Sequence, residues 1–360
     1  MSAAAQASPA QGATVVDAAT TAPRAEARPG AQIAVLFCVE AGPMETQAVL
    51  LAESLRKWGG RLADAQAVAV QPRSGPSLGA DTRAAFDRLG VRHERIRPTH
   101  SASWYGTINK PTSLAWAEKH LDAEVFAWFD TDTLIVREPT LLDLPDGVDL
   151  AARPAEAMLG STGPDDVHEP YWQAVCASLG FSAEDLPWID SRPEGKPIRM
   201  YLHGGVYAFR KSLGLAGVHL QTYLSRLESK IASPQHGVYF YDQTSFSLSA
   251  HRVGARVLPL EDTYNYNLNW RAKDWITDAG VAGAKVIHYH DSLWPAHFDW
   301  FLDLIEAHHP EPAAWLRERG PVTVSMPPLA RVWRKALKWS RDRKYKRFAA
   351  SAAPPTHGGA

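Results

Sequence analysis

The sequence predicts an α/β domain built on a mainly parallel central sheet, spanning residues 31–325. Three observations carry this. Short apolar runs alternate with stretches of helical period through the first half of the chain, the pattern of strands covered by crossover helices. The runs at residues 33–39 and 124–129 are apolar throughout, as strands buried on both faces are. Glycines follow the periodic stretches, Gly59-Gly60 after one and Gly90 after another, where helix ends need them. With 360 residues, 45% hydrophobic and 21% charged, the chain has the size and composition of a globular protein.

Taken in order, residues 1–30 are rich in Ala, Thr and Pro, without a basic start and apolar block, and are expected to be a disordered leader rather than a secretory signal. Residues 33–39 form the first strand. Residues 44–57 place Val49, Leu50, Leu55 and the following Trp58 at helical spacing. A strand at 67–70, a helix at 82–89 and a strand at 92–96 follow. A helix at 109–121 leads into the strand at 124–129, and residues 133–136 resume an extended run before Pro139. Residues 158–199 carry many Pro, Gly, Asp and Glu with several aromatics, and are expected to be an insertion covering the site. A strand at 204–209, helices at 213–230 and 242–251, and strands at 256–260 and 285–290 complete the domain. Residues 326–348 form a basic segment with interleaved aromatics, and 349–360 are expected to be a disordered tail.

Composition excludes several classes. A formal net charge of -1 offers no global field for nucleic acid, so none is expected as a partner. Two cysteines, Cys38 and Cys176, cannot make a disulfide framework or a four-thiolate zinc site, which suits a reducing cytoplasm. No apolar run approaches the roughly 18 residues that mark a transmembrane span. Thirteen tryptophans are many for the length, and suit a protein that stacks sugars or bases as well as one with an aromatic core.

Chemistry is concentrated at Asp130-Thr131-Asp132, which ends the apolar run Phe126-Ala127-Trp128-Phe129. Open α/β sheets bind ligands at the carboxyl ends of their strands. Two carboxylates there can converge on one divalent cation, although Asp-Thr-Asp is also ordinary turn chemistry. Val286-Ile287-His288-Tyr289-His290 is a late strand whose alternate residues share a face. A histidine from it can complete the coordination, and imidazole among oxygen ligands tilts the choice from Mg²⁺ toward Mn²⁺.

These residues resemble the GT-A glycosyltransferases, and most of all glycosyltransferase family 8, in which an apolar strand runs into Asp-x-Asp and then a Leu/Val-Val-Arg-Asp/Glu segment. Residues 126–138 follow that pattern. The resemblance implies a single GT-A (Rossmann-like) domain with a mixed, mainly parallel central sheet. It implies Mn²⁺ (or Mg²⁺) held by Asp130, Asp132 and His288, with His290 left as an alternative to His288. Tyr105 and Lys110 match the family's aromatic-led helix with a basic residue, which places Lys110 on the donor diphosphate. Asp242-Gln243 matches the Asp-Gln that lines the sugar and acceptor side, and either oxygen can steady positive charge at the anomeric carbon; read alone, the pair is a helix-start cap. His203-Gly204-Gly205-Val206 stands where the family has Asn-Ser/Ala-Gly-Val, so histidine replaces the asparagine. Asp291-Ser292-Leu293-Trp294-Pro295 lacks the lysine of the family's Gly-x-x-Lys-Pro-Trp, and Cys38-Val39-Glu40 replaces the usual base-binding run. The implied reaction is transfer of a hexosyl group from a nucleotide-diphospho-sugar, UDP-linked by resemblance, to a hydroxyl of a carbohydrate or lipid-linked acceptor, with retention.

Other readings meet specific obstacles. A haloacid-dehalogenase-like phosphatase also uses Asp-x-Asp, but on its first strand and with Thr or Val where Leu134 stands. A nucleotidyltransferase usually has a Gly- and Arg-rich loop after the first strand, and Glu40-Ala41-Gly42-Pro43 is not one. A non-catalytic binding protein that kept the fold is supported by the changes at His203 and after His290. The basic segment is either a solvated helix or an anchor on an anionic membrane surface through residues 331–348, which would place the protein on the inner membrane face.

Overall fold

The computed structural model describes residues 12–17 and 32–355. Its strands are β1 (Thr14–Val15), β2 (Ile33–Cys38), β3 (Gln66–Gln71), β4 (Val91–Arg95), β5 (Val125–Phe129), β6 (Thr133–Ile135), β7 (Leu150–Pro154), β8 (Trp188–Asp190), β9 (Pro197–Arg199), β10 (Leu202–Arg210), β11 (Arg256–Pro259), β12 (Tyr266–Asn267) and β13 (Val286–His288). Its helices are α1 (Pro43–Trp58), α2 (Ala80–Leu89), α3 (Asn109–His120), α4 (Glu169–Ala177), α5 (Leu215–Ser229), α6 (Tyr241–Arg252), α7 (Asp278–Gly283), α8 (Phe298–Glu306), α9 (Pro310–Arg319) and α10 (Pro328–Ser351).

The central sheet has eight strands in the order β1-β11-β7-β10-β5-β2-β3-β4. All run parallel except β10, which pairs antiparallel with both β5 and β7. The mixed, mainly parallel α/β sheet expected from the sequence is therefore present, in a single domain. Its buried strands send alternate residues into two different cores, as the two-residue period requires. Leu36, Phe126 and Trp128 join the core under α3, α5 and α6, whereas Val35, Phe37 and Phe129 join the core under α1 and α2. A second sheet, β12-β13-β6, carries the late histidine strand, which is thus not part of the central sheet. Both cysteines are buried free thiols, pushed up to about 12 by burial.

Several expectations are corrected. Residues 12–17 are not a disordered leader: Thr14 and Val15 pair with Arg256 and Val257 at the sheet edge, while residues 1–11 and 18–31 lie outside the described residues. Residues 349–355 are not a disordered tail either. The basic segment is one helix that continues to Ser351, and Ala353 then exchanges backbone hydrogen bonds with Lys230 and Ala232; residues 356–360 lie outside the described residues. The segment 158–199 does not cover the site. Tyr171, Trp172 and Val175 of α4 are core residues, and the buried pair Arg199–Glu169 (2.7 Å) ties β9 to α4. Strand β7 and helices α7 to α9 are additions that the sequence reading did not single out.

Candidate active site

β5 ends where its hydrogen bonds turn aside. The Asp130 amide donates to the Gly205 carbonyl (2.7 Å), the Thr131 hydroxyl to the Cys38 carbonyl (2.7 Å) and the Thr133 hydroxyl to the Asp130 carbonyl (2.7 Å). The Tyr289 amide closes the far side on the Asp132 carbonyl (3.0 Å). Four bonds clamp the turn, so both carboxylates project in fixed directions.

The two aspartates meet different partners. Asp130 accepts from the Trp128 indole (2.8 Å) and from Lys110 (3.0 Å). Burial pushes its carboxyl above the ordinary range, and Lys110 only partly reverses this. Lys110 itself also lies 3.5 Å from Asp242 and donates to the Gly204 carbonyl. Burial opposes its charge, but the two carboxylates outweigh burial and raise its pKa. Asp132 faces His288 Nε2 (3.2 Å) and His290 Nδ1 (3.8 Å). Burial alone would raise Asp132, yet His288 and His290 hold it down to about 2.

The histidines are held by backbone and by Asn265. β13 ends at His288, and His290 returns toward it through a left-handed backbone conformation (φ 51°), uncommon for residues other than glycine although histidine is among those that adopt it more readily. Its ring then stacks on His288 with centroids 4.0 Å apart. Ligand atoms of Asp132, His288 and His290 lie within 4.8 Å of one another, so both of the histidines that the sequence offers as alternatives face one point. Behind them, the Gly205 amide donates to His203 Nδ1 (3.0 Å), which fixes that nitrogen as unprotonated. The Asn265 amide nitrogen therefore faces His203 Nδ1 (2.6 Å), and its oxygen faces His288 Nδ1 (3.1 Å). An acceptor at Nδ1 places the proton there and turns Nε2 toward Asp132. Burial, with Arg153 and His288 nearby, keeps His203 neutral, well below the ordinary histidine range.

Residues His203 to Gly205 reach the site because β10 breaks register with β7 between Leu202 and Tyr207. Such an irregularity re-aims a strand beside an active site. Both glycines sit in tight places: a Cβ on Gly204 would stand 3.1 Å from Lys110 Nζ, and one on Gly205 3.0 Å from Asn265, so a larger residue at either would press on these side chains. The Gly204 amide donates to Gln243 (3.4 Å) at the start of α6. Tyr105 is 3% exposed and lies flat against Tyr345, with centroids 5.2 Å apart, so it reaches the site at its edge only.

One cavity of about 730 Å³ gathers all ten residues singled out from sequence: Tyr105, Lys110, Asp130, Asp132, His203, Gly204, Gly205, Asp242, Gln243 and His288. Its wall also contains residues the sequence reading missed, namely Glu40 and Arg73 at the ends of β2 and β3, and Arg334, Lys338, Arg341 and Tyr345 of α10. Asn265 was missed as well; an isolated asparagine two residues into a Tyr/Asn alternation carries no signal of its own. The cover expected from 158–199 is supplied by α10 instead.

Acids and histidines gathered beside the carboxyl end of β5 form a polar ligand-binding site of the kind open α/β enzymes carry. Residues 35–254, more than half of the chain, match the family described as the Rhodobacterales glycosyltransferase domain, and the chain belongs to that family. Residues 35–254 are therefore a glycosyltransferase domain by family, which speaks against the phosphatase reading. No curated protein matches. Among solved structures it is similar to WbbM, a bifunctional glycosyltransferase in its apo form, with 12% identity and a TM-score of 0.45. The similarity covers 82% of this chain and 53% of that one, so the chain spans about half that protein's length. Among the described residues, no helix is long and apolar enough to cross a membrane.

Proposed function

We propose that the chain is a GT-A glycosyltransferase of the family-8 kind, moving a hexose from a nucleotide-diphospho-sugar to an acceptor hydroxyl with retention. UDP-sugars are the first donors to test, and glycan or glycolipid synthesis is the setting. The observation that carries this reading is the convergence of all ten expected residues on one cavity beside the Asp132–His288–His290 cluster.

The donor set fits a divalent cation, since one carboxylate and two imidazoles face one point and Asn265 orients His288. Two nitrogens among the ligands favour Mn²⁺ over Mg²⁺, which prefers oxygen. When bound, the ion supplies Lewis-acid neutralisation of the departing diphosphate. Asp130, the further ligand that the resemblance implies, lies outside this three-residue group but lines the same cavity, held by Trp128 and Lys110. Asp242 and Gln243, at the start of α6, present oxygens to the same space and are suited to steadying positive charge at the anomeric carbon. Lys110 bridges Asp130 and Asp242 and offsets their mutual repulsion.

The acceptor side is proposed to be carbohydrate or lipid-linked, because the outward face of α10 suits an anionic membrane. Leu329, Val332, Trp333 and Trp339 are exposed there among Arg331, Lys335, Arg343 and Lys346. A screen of UDP-, GDP- and CMP-sugars with Mn²⁺ tests the donor reading. Thermal stabilisation and slow donor hydrolysis are expected with one nucleotide class, both lost in Asp132→Asn. Stabilisation and hydrolysis absent with all three, with Mn²⁺ or Mg²⁺, would refute it.

A further inference from the structure

α10 has no fully buried residue. Its inward face nevertheless follows one helical stripe, Arg334, Leu337 or Lys338, Arg341 and Tyr345, at spacings of three and four. That stripe is seated at several points. Tyr345 lies on Tyr105, and Phe348 packs against Trp104 (5.3 Å) and Tyr241 (6.0 Å). Arg341 donates to the Ser74 carbonyl (2.5 Å) and lies 3.7 Å from Glu40, which Arg73 also contacts. Arg334 rests on Gly42, where a Cβ would stand 2.8 Å from its Nε, and Gly42 has a φ of 118°. Among the described residues Arg334 has neither an ion pair nor a hydrogen bond.

The charges on the cavity wall divide into two sets. The inner set is Asp130, Asp132 and Asp242 with Lys110, which leaves two negative charges and matches one divalent cation. The outer set is Glu40 between Arg73 and Arg341, then Arg334, then the internally balanced pair Lys338–Asp342 (2.5 Å). It leaves two positive charges, the complement of a sugar diphosphate diester. The buried lysine is already committed to two carboxylates, so the guanidiniums of the outer set are the cations left for phosphate, and their forked geometry suits it.

We propose that α10 is part of the donor site and that Arg334 and Arg341 bind the diphosphate of the nucleotide-sugar. This rests on the donor reading above. The test measures, by calorimetry on the full chain with saturating Mn²⁺, the affinities of inorganic pyrophosphate and of UDP. Arg334→Gln and Arg341→Gln are each expected to weaken both about tenfold, as loss of a charge-assisted hydrogen bond does, with Mn²⁺ affinity and melting temperature unchanged. Lys335→Gln and Lys346→Gln remove the same charge from the outward face and are expected to change neither affinity. Arg334, which makes no ion pair or hydrogen bond among the described residues, carries the test even if Arg341→Gln is destabilised. Wild-type affinity in Arg334→Gln, or equal weakening in the outward variants, overturns the assignment and leaves the donor reading standing. A wild-type chain that binds neither pyrophosphate nor UDP removes both.

Discussion

Asn265 is the residue whose loss separates a positioned metal cluster from a chance meeting of side chains. It is 2% exposed, touches no cavity-facing acid, and holds His203 and His288 through its two ends. Asn265→Ala removes the acceptor at His288 Nδ1 and the amide donor at His203 Nδ1. His203 keeps the Gly205 amide, so only the His288 nitrogen is left unsatisfied in a buried place. Leaving one such group costs about 1–3 kcal/mol of stability, read as a lower denaturation midpoint at unchanged slope. The larger effect is on ligand orientation: removing the outer partner of a metal-binding histidine typically weakens the metal about 10–100-fold. Titration of the apo-protein with Mn²⁺ by calorimetry measures this directly. Asn265→Asp is the companion variant, since it retains an acceptor for His288 and is expected to hold Mn²⁺ at least as well as Asn265→Ala. A Mn²⁺ affinity within twofold of wild type in Asn265→Ala would refute the reasoning, because the network would then orient nothing.

Two further outcomes follow from features away from the cluster. Glu169 is 1% exposed and grips Arg199; burial raises its pKa, but the Arg199 hydrogen bonds more than reverse this, so its folded value lies below the ordinary carboxylate value. Its contribution is therefore present above about pH 4.5 and lost as pH falls through the depressed folded value. Glu169→Gln strands a buried guanidinium and is expected to cost about 3–5 kcal/mol at pH 7 in urea unfolding, with a smaller loss at acid pH. On the outward face of α10, Trp333→Ala with Trp339→Ala is expected to reduce co-sedimentation with anionic vesicles at low salt while leaving pyrophosphate affinity unchanged. Equal sedimentation of variant and wild type would remove the membrane proposal.

The sheet was legible wherever apolar runs were long. β2 and β5 are buried on both faces, so their sequences are apolar without interruption, and Asp130 stands out as the point where burial ends. β7 was not legible, because Leu150-Ala151-Ala152 is short and alanine has little strand preference. β1 was not legible for a different reason: two residues carry no period, and Thr14–Val15 is a strand only because Ala255 and Val257 offer carbonyls to it. In the segment 158–199, turn residues outnumbered the apolar ones and suggested a loose cover. Tyr171 and Trp172 show that a few large side chains suffice to bury such a segment. The inner site could be read from sequence because each member carries charge or sits beside a motif. The outer wall could not, since Arg334 and Arg341 are two among nine basic residues of one helix, and only tertiary contact distinguishes the inward ones.

α10 also carries two unlike faces on one helix, exposed tryptophans on one side and cavity-lining arginines on the other. Any body that engages its outward tryptophans must either leave the inward stripe where it is or shift it against Gly42 and Glu40. If it shifts, vesicle and pyrophosphate become linked ligands, and the factor by which one changes the affinity of the other is the same in both directions. Measured reciprocally, that single factor states how strongly a surface held by the outward face would govern the affinity of the inward one.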